Sequence, residues 1–190
     1  MRVIAGEAKG RTLVAVRGGG TRSATDRIRE TLFAILAGHL EDAQVLDLFA
    51  GAGTLGIEAL SRGAARATFV ERTPEAVAAL RRNLLTTKFE DRAEVAKSDV
   101  IAFLGGHIGR YDLVFCDPPF ADVELLGRVL AHDGLRDAAP DGLIVARVLR
   151  KHPPALPERM RVVRDHRVGE ESLLLLEYTS SRADAAADIR

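Results

Sequence analysis

The chain has one cysteine, no tryptophan and no long apolar run. The single thiol, Cys116, excludes an intramolecular disulfide, so we expect a fold that needs no cross-links and a reducing, cytoplasmic setting. The apolar runs are far shorter than the roughly 20 residues that cross a bilayer, and the N-terminus has no apolar signal segment. Because the five histidines show no metal-ligand spacing, we expect no metal site.

An excess of one charge sign is also missing, since 27 basic residues balance 27 acidic ones. The distribution is uneven, however. Residues 1–40 contain seven basic and three acidic side chains, and residues 147–169 contain seven basic and two acidic ones. Most of these cations are arginines, which bind phosphate bidentately. The two segments therefore predict a nucleic-acid-binding face, although ordinary solvated charge explains the counts alone nearly as well.

Short apolar runs alternate with amphipathic segments from residue 43 onward. This alternation predicts an α/β fold with a mostly parallel sheet and helices on both faces. Two strand-like runs at the C-terminal end lie too close together for a helix and predict an antiparallel hairpin. The predicted strands cover residues 44–49, 67–71, 93–96, 113–116, 143–148, 160–168 and 172–178, and the predicted helices cover 26–40, 55–62, 74–85, 100–104 and 123–131.

The chain divides into three parts by pattern. Residues 1–40 form a small β-rich arm, too short to hold its own core, and a helix that attaches it to the rest of the chain. Residues 41–179 form the α/β domain. Residues 180–190 lack periodicity, and we expect a disordered tail.

A glycine loop follows the first strand of the α/β domain. Gly51, Gly53 and Gly56 form G-x-G-x-x-G between a predicted strand and a predicted helix, which is the context of nucleotide-binding loops. The helix N-terminus presents free N–H groups to an anionic part of a ligand. Glu71 ends the next strand, where an acid can accept hydrogen bonds from a ribose. This unit alone fits either NAD or S-adenosylmethionine.

Two further acids favour the methyl donor. Asp47, together with Phe49, extends the loop to D-x-F-x-G-x-G, a pattern that we associate with class I methyltransferases. Asp99 ends the third strand, where its carboxylate can accept a hydrogen bond from an adenine amino group. Capping of the following helix is an equally good explanation of Asp99.

The segment "DPPF" follows the fourth strand. Pro118 and Pro119 cannot donate to a sheet ladder and stiffen the turn. The Asp117 carboxylate and a neighbouring backbone carbonyl then offer two acceptors that match the two hydrogens of an exocyclic amine. Phe120 offers a stacking plane for a base. Cys116 points to the opposite face by strand alternation, so we interpret it as a buried apolar residue and not as a nucleophile.

With these motifs, the chain resembles the RsmD-type family of bacterial 16S rRNA guanine-N2 methyltransferases. The more specific part of the resemblance is the arm, "MRVIAGEAKGR" followed by "TRSATDRIRE". It implies a Rossmann-like class I methyltransferase fold with a seven-stranded sheet. It also implies a cytoplasmic enzyme of ribosome biogenesis that methylates one guanine N2 in 16S rRNA, within a largely assembled 30S subunit. The residues leave the oligomeric state open, and a monomer is the default expectation.

The motifs and the resemblance together define a candidate site in three groups. The catalytic group is Asp117, Pro118 and Phe120. The residues expected to contact S-adenosylmethionine are Asp47, Phe49, Gly51, Gly53, Glu71, Arg72, Asp99 and Asp117. The residues expected to contact RNA are Arg2, Lys9, Arg11, Arg22, Thr25, Asp26 and Arg27.

Three other functions remain open from the residues. A D-P-P-[FY] turn also suits methylation of adenine N6 in DNA or of a protein glutamine. An NAD-dependent oxidoreductase would share the glycine loop, but we find no Tyr-Lys or His-Asp pair for its chemistry. A catalytically silent RNA-binding assembly factor could use the same scaffold.

Overall fold

The computed structural model describes residues 1–16, 26–106, 109–118 and 122–179. The longest helix has 14 residues, and none of the helices in these ranges combines the length and apolar character needed to cross a membrane. The helices are α1 (Asp26–Ile35), α2 (Thr54–Ser61), α3 (Pro74–Thr87), α4 (Val100–Leu104), α5 (Val123–Leu130) and α6 (Asp133–Ala138). The strands are β1 (Gln44–Asp47), β2 (Arg66–Glu71), β3 (Ala93–Lys97), β4 (Leu113–Cys116), β5 (Leu143–Leu149), β6 (Met160–Val168) and β7 (Glu171–Tyr178).

The seven strands form one sheet in the order β3-β2-β1-β4-β5-β7-β6. The first five in this order pair in parallel, and β7 pairs antiparallel with both β5 and β6. This arrangement confirms the predicted mostly parallel sheet with an antiparallel C-terminal hairpin. The chain order reverses between β1 and β4, and ligands of open α/β sheets bind at such a switch point, beyond the carboxyl ends of the strands.

Apolar side chains cover both faces of the sheet. Alternate residues of β4 point to opposite sides, so Phe115 joins the core beneath α1, α2 and α3, whereas Cys116 joins the core beneath α4, α5 and α6. Cys116 is fully buried, and burial raises the pKa of its thiol. The interpretation of Cys116 as a buried apolar residue is confirmed.

The N-terminal arm has little regular structure of its own. Its only strand-like contact in the described part is an antiparallel bridge between Arg2 and Thr12. Val3, Ala8 and Leu13 are nevertheless buried in the core beneath α1 to α3. The arm therefore shares the core of the α/β domain, as expected for a segment too short to form one.

Two helices differ from the predictions by more than two residues. The helix predicted over residues 26–40 ends at Ile35 and is followed by a 3-10 turn, Ala37–His39, although Leu36 and Leu40 remain buried. Apolar spacing alone predicted a longer helix because the tighter turn keeps both leucines on the core side. Helix α6 was not predicted, since only Leu135 and Ala138 of its six residues are buried apolar side chains and they do not define a helical period.

Candidate active site

The glycine loop connects β1 to α2 as predicted. Gly51 and Gly53 have φ of 54° and 81°, which side chains rarely adopt. A Cβ atom on Gly53 would lie 2.3 Å from Leu80 Cδ1, whereas one on Gly51 would meet no heavy atom within 4 Å. Gly53 is thus required for packing. Gly51 leaves open space beside the loop, as a close-fitting ligand would need.

Asp47 ends β1 beneath this loop and is buried. Its Oδ2 accepts a hydrogen bond from the Gly56 N–H at 3.1 Å. Its Oδ1 is buried without a hydrogen-bond partner among the described residues. Burial, assisted by the nearby Asp117 and Glu71 carboxylates, raises the pKa of Asp47 to about 7. A buried acid with a free oxygen and two acidic neighbours fits a cationic ligand.

Glu71 lies at the end of β2 and contacts the same loop. Its Oε2 accepts a hydrogen bond from the Gly51 N–H at 3.0 Å. Its Oε1 accepts from both the N–H and the hydroxyl of Thr73, at 2.8 and 2.7 Å. Each carboxylate oxygen can accept more than one hydrogen bond. Glu71 therefore holds the loop and keeps acceptor capacity for the ribose contact predicted for it.

The remaining residues predicted to bind the cofactor lie around the same edge of the sheet. Phe49 is partly buried and packs against the core beneath α4 to α6, and Arg72 is exposed directly after β2. Asp99 caps α4, because its Oδ1 accepts from the N–H groups of Ile101 and Ala102 at 2.9 and 3.3 Å. The capping role considered for Asp99 is present, and its contact with adenine stays a prediction.

Asp117 follows β4, next to β1, and is therefore adjacent to Asp47 across the switch point. Its Oδ1 accepts a hydrogen bond from Arg147 Nε at 2.8 Å. None of the described residues donates to Oδ2, and 15% of the side chain stays accessible. Pro118 is buried and stiffens the turn. Pro119 and Phe120 lie outside the described residues, so the stacking role of Phe120 stays a prediction.

Arg147 belongs by sequence to the basic segment that predicts a nucleic-acid-binding face, and the structure corrects this interpretation. Its side chain is only 8% accessible, and it pairs with Asp117 and, through Nη1, with Glu171 Oε2 at 3.4 Å. The available signal was an arginine inside the otherwise apolar strand "LIVARVL", since a buried charge requires a partner. Glu171, which is not among the predicted site residues, lies beside it.

The arm lies against α2 through a buried carboxylate. Glu58 accepts hydrogen bonds from the N–H groups of Ile4 and Ala5 at 2.8 and 3.0 Å, and pairs with Arg62 at 2.7 Å. Glu58 is fully buried. Sequence reasoning missed this residue, because an acid on an apolar helix face gives no indication of which backbone N–H groups will donate hydrogen bonds to it.

The residues predicted to contact RNA fall into three sets. Arg2, Lys9 and Arg27 are exposed, whereas Arg22 and Thr25 lie outside the described residues. Arg11 donates to the Thr86 carbonyl on α3, and Asp26 pairs with Arg29 at 2.7 Å. Arg11 therefore attaches the arm to α3, whereas Asp26 forms an ion pair within α1, and any RNA contact of theirs would come in addition.

Asn83 of α3 connects the arm to the glycine loop. Its side-chain N–H₂ donates to the carbonyls of Val14 and Ala52 at 3.0 and 2.8 Å, and its oxygen accepts from the Val14 N–H at 2.7 Å. Asn83 is fully buried. Sequence reasoning missed this link as well, because Val14 and Asn83 are 69 positions apart.

Three carboxylates and one buried guanidinium gather at this edge of the sheet. Asp47, Glu71 and Asp117 come from three neighbouring strands, and Arg147 comes from a fourth. The titratable side chains of the described residues contain no group of three or more that could hold a metal ion. The arrangement can attract an organic cation and present a carboxylate oxygen to a donor group.

Comparisons with known proteins agree with this fold and site. The family model described as conserved hypothetical protein 95 matches residues 1–177. Ribosomal RNA small subunit methyltransferase D of Escherichia coli (strain K12) is 46% identical over 120 residues, which cover 63% of this chain and 60% of that protein. The protein of the same name from Haemophilus influenzae is 33% identical over 183 residues, which cover 93% of each.

The solved structure of yhhF from Escherichia coli matches with a TM-score of 0.84 at 34% identity, covering 95% of this chain and 99% of that one. A match of this extent confirms the resemblance inferred from the arm and the D-P-P-F turn. The chain belongs to the family described as conserved hypothetical protein 95, the RsmD-type methyltransferases.

Proposed function

We propose that this protein transfers a methyl group from S-adenosylmethionine to the exocyclic N2 of a guanine in 16S rRNA. The observation that carries the proposal is the position of Asp117: its side chain, 15% accessible, lies after β4, beside the loop between β1 and α2, and only its Oδ1 receives a hydrogen bond from the described residues. The names of the relatives support rRNA of the small subunit as the substrate class. The choice of a guanine amine follows from the two acceptors of the D-P-P-F turn and from the family resemblance.

The acidic edge of the sheet fits this cofactor. Bound S-adenosylmethionine would supply an activated methyl group on a sulfonium cation. The unpartnered Oδ1 of Asp47 and the carboxylates of Glu71 and Asp117 favour positive charge at this point. Open space at Gly51 admits a ligand close to the loop backbone. The same charges disfavour the pyrophosphate of NAD, which supports the methyl donor over the oxidoreductase alternative.

Asp117 orients the substrate amine in this mechanism. The lone pair of a guanine amine is delocalised into the base, so the nitrogen is a poor nucleophile. Hydrogen bonds from its two N–H groups to Asp117 Oδ2 and to a backbone carbonyl of the turn direct the lone pair towards the methyl group. After transfer the nitrogen carries an extra proton, which Asp117 or water accepts. No covalent enzyme intermediate is required.

RNA binding is assigned to the arm and to the outer C-terminal strand. Arg2, Lys9 and Arg27 are exposed cations in the N-terminal part of the chain. Strand β6 has exposed arginines in the C-terminal part. We further propose that the protein acts as a monomer on a largely assembled 30S subunit, in which the arm contacts the RNA around the target base.

The test uses Asp117→Ala and Asp117→Asn with 30S subunits from a strain that lacks this gene. Each protein is incubated with tritiated S-adenosylmethionine, and the modified nucleosides are identified by mass spectrometry. We expect N2-methylguanosine with the wild-type protein and a loss on the order of 10³-fold in rate for both variants. Calorimetry should show that both variants still bind the cofactor, because the glycine loop, Asp47 and Glu71 are unchanged, although the loss of one carboxylate weakens the affinity for a cation.

Asp141→Asn provides the matched control. Asp141 is exposed and precedes β5, so it lies at the amino ends of the parallel strands, whereas Asp117 lies at their carboxyl ends. Its replacement should leave the rate unchanged. Wild-type turnover by Asp117→Ala would disprove the role assigned to Asp117. If the product were N6-methyladenine or a methylated protein, guanine N2 would not be the group that this protein methylates. Naked 16S rRNA, assayed in parallel, shows whether assembly is required.

A further inference from the structure

The buried Arg147 is a residue of this site that the proposed chemistry does not use. It lies in β5, the strand between β4 and β7, and all its neighbours within that strand from Leu143 to Val148 are buried. Taking a guanidinium out of water is costly unless its N–H groups are paired. Arg147 meets this requirement with one carboxylate from each adjoining segment, Asp117 and Glu171.

The strand register explains why these three residues meet. Cys116 pairs with Ala146 in the parallel β4–β5 ladder, so Asp117 and Arg147 are the next positions along both strands. Arg147 pairs with Leu173 in the antiparallel β5–β7 ladder, and Glu171 lies two positions away on the same face of β7. The strand register therefore places Asp117, the first residue after β4, beside Arg147, and it places Arg147 close to Glu171.

The two carboxylate oxygens of Asp117 have different hydrogen-bond partners. Arg147 Nε occupies Oδ1 at 2.8 Å, and Oδ2 receives no hydrogen bond from the described part of the chain. A guanidinium group donates in a fixed plane, so this hydrogen bond restricts the rotation of the carboxylate. Oδ2 is thus the oxygen that stays available to a ligand, and Glu171 restrains the arginine from its other side.

We propose, on the basis of the proposed methyl transfer, that Arg147 is a positioning residue that locks Asp117 through Oδ1 so that Oδ2 receives the target amine, and that Glu171 holds Arg147 in this conformation. The amine and the cofactor do not touch Arg147 in this arrangement. Its effect on the reaction passes through the orientation and charge of Asp117.

The ionisation of Asp117 supports this role. Burial raises the pKa of Asp117, and the guanidinium of Arg147 opposes the rise. The charged groups that face Asp117 in the described structure are Asp47 from β1 and Arg147 from β5, with Glu171 of β7 behind Arg147. Without Arg147, only a like charge would remain close to Asp117, and the carboxylate would bind its proton more tightly.

The experiment compares Arg147→Met, Arg147→Lys and Glu171→Gln with the wild-type protein. The pKa of Asp117 is measured directly in the free proteins by NMR titration of its carboxyl carbon, and kcat is measured against pH with 30S subunits. We expect Arg147→Met to raise the pKa of Asp117, to shift the acidic limb of the pH profile to higher pH, and to lower kcat on the order of 10²-fold. Cofactor affinity should stay close to that of the wild type.

The other two variants separate charge from geometry. Arg147→Lys keeps the cation, so the acidic limb should stay near its wild-type position while kcat falls, because an ammonium group does not fix the carboxylate plane. Glu171→Gln should reduce kcat less than Arg147→Met does. Glu171 is partly accessible, so this variant decides the matter if Arg147→Met fails to fold.

The proposal would be overturned if folded Arg147→Met had an unchanged Asp117 pKa and a wild-type kcat. It would also be overturned if Glu171→Gln and Arg147→Lys both had an unchanged Asp117 pKa and a wild-type kcat. Because the NMR titration needs no substrate, it tests the Arg147–Asp117 link even if the wild-type protein methylates something else. Absence of methylation by the wild-type protein would instead refute the proposed function.

Discussion

At the scale of single residues, the site combines acids that share one edge but have different surroundings. Asp47 is buried beneath the glycine loop with one free oxygen, whereas Glu71 is held by Thr73 and Gly51. Asp117 has a cationic partner and Asp47 has none among the described residues. The differences explain why the pKa of Asp47 rises to about 7, and they make Asp47 the acid most sensitive to a bound cation.

Asp47 should make folding stability depend on pH. The pKa of this acid is raised from 3.8 to about 7 on folding, so the folded state binds the proton more tightly than the unfolded state. Stability from this group is therefore present at low pH and is lost as pH rises from about 4 to about 7. Each pKa unit is worth about 1.4 kcal/mol, and the loss amounts to several kcal/mol.

Asp47→Asn should abolish this component. Urea denaturation at pH 5 and pH 8 would give a smaller difference in the free energy of unfolding for the variant than for the wild-type protein. Asp42→Asn is the control, because Asp42 is exposed and asparagine tolerates its φ of 56°. An equal pH dependence in Asp47→Asn and wild type would show that Asp47 does not ionise in this range.

At the scale of secondary-structure elements, the sheet could be predicted from the sequence but several links between elements could not. Strand β4 has the predicted bounds, and β1 to β3 and β5 differ by one or two residues, because each is a short apolar run with clear limits. Arg147 was misinterpreted because its partners belong to two other strands. Periodicity describes one element at a time and carries no information on contacts between distant elements.

Helix α3 shows the same limit at Asn83. Sequence reasoning predicted this helix almost over its full length, yet Asn83 had no assigned role. The structure places its amide between the arm, at Val14, and the glycine loop, at Ala52. A single side chain thus attaches a segment proposed to contact RNA to the loop proposed to bind the cofactor.

Replacing Asn83 by Ala should loosen both segments. The change leaves the buried Ala52 carbonyl and two polar groups of Val14 without their partner, and a loss of roughly 1–3 kcal/mol in the free energy of unfolding is expected. Hydrogen exchange of the Val14 amide should accelerate, while exchange in β6 and β7 stays unchanged. Arg82→Ala, an exposed neighbour on α3, is the control. Unaltered exchange at Val14 would refute the link.

At the scale of the whole molecule, the net charge is zero, but acidic and basic side chains are concentrated in different regions. Acids gather where the parallel strands end, which suits a cationic cofactor. Strand β6 forms one edge of the sheet, and most of its residues are exposed, among them Arg161, Arg164 and Arg167. Its hairpin with β7 turns beside Glu171, so these cations lie on the strand that leads to the candidate active site.

The β6 arginines should therefore contribute to RNA affinity by binding phosphates. Binding of 30S subunits or a 16S rRNA fragment by Arg164→Gln/Arg167→Gln should be weaker at low salt, and the slope of log K against log salt should decrease by about one for each arginine that binds a phosphate in the wild-type protein. The control pair is Arg81→Gln/Arg82→Gln, which removes the same charge from α3, away from the hairpin.

The rate at saturating RNA separates binding from chemistry for this pair. Arg164 and Arg167 do not contact Asp117 or Arg147 in the described structure, so kcat should match the wild-type value while KM for RNA rises. Equal salt slopes for the two double variants would mean that net charge alone, and not the β6 edge, attracts the RNA. A matching decrease in kcat would instead place β6 in the arrangement that orients the target base, because phosphate contacts that only bind act equally on the ground state and the transition state.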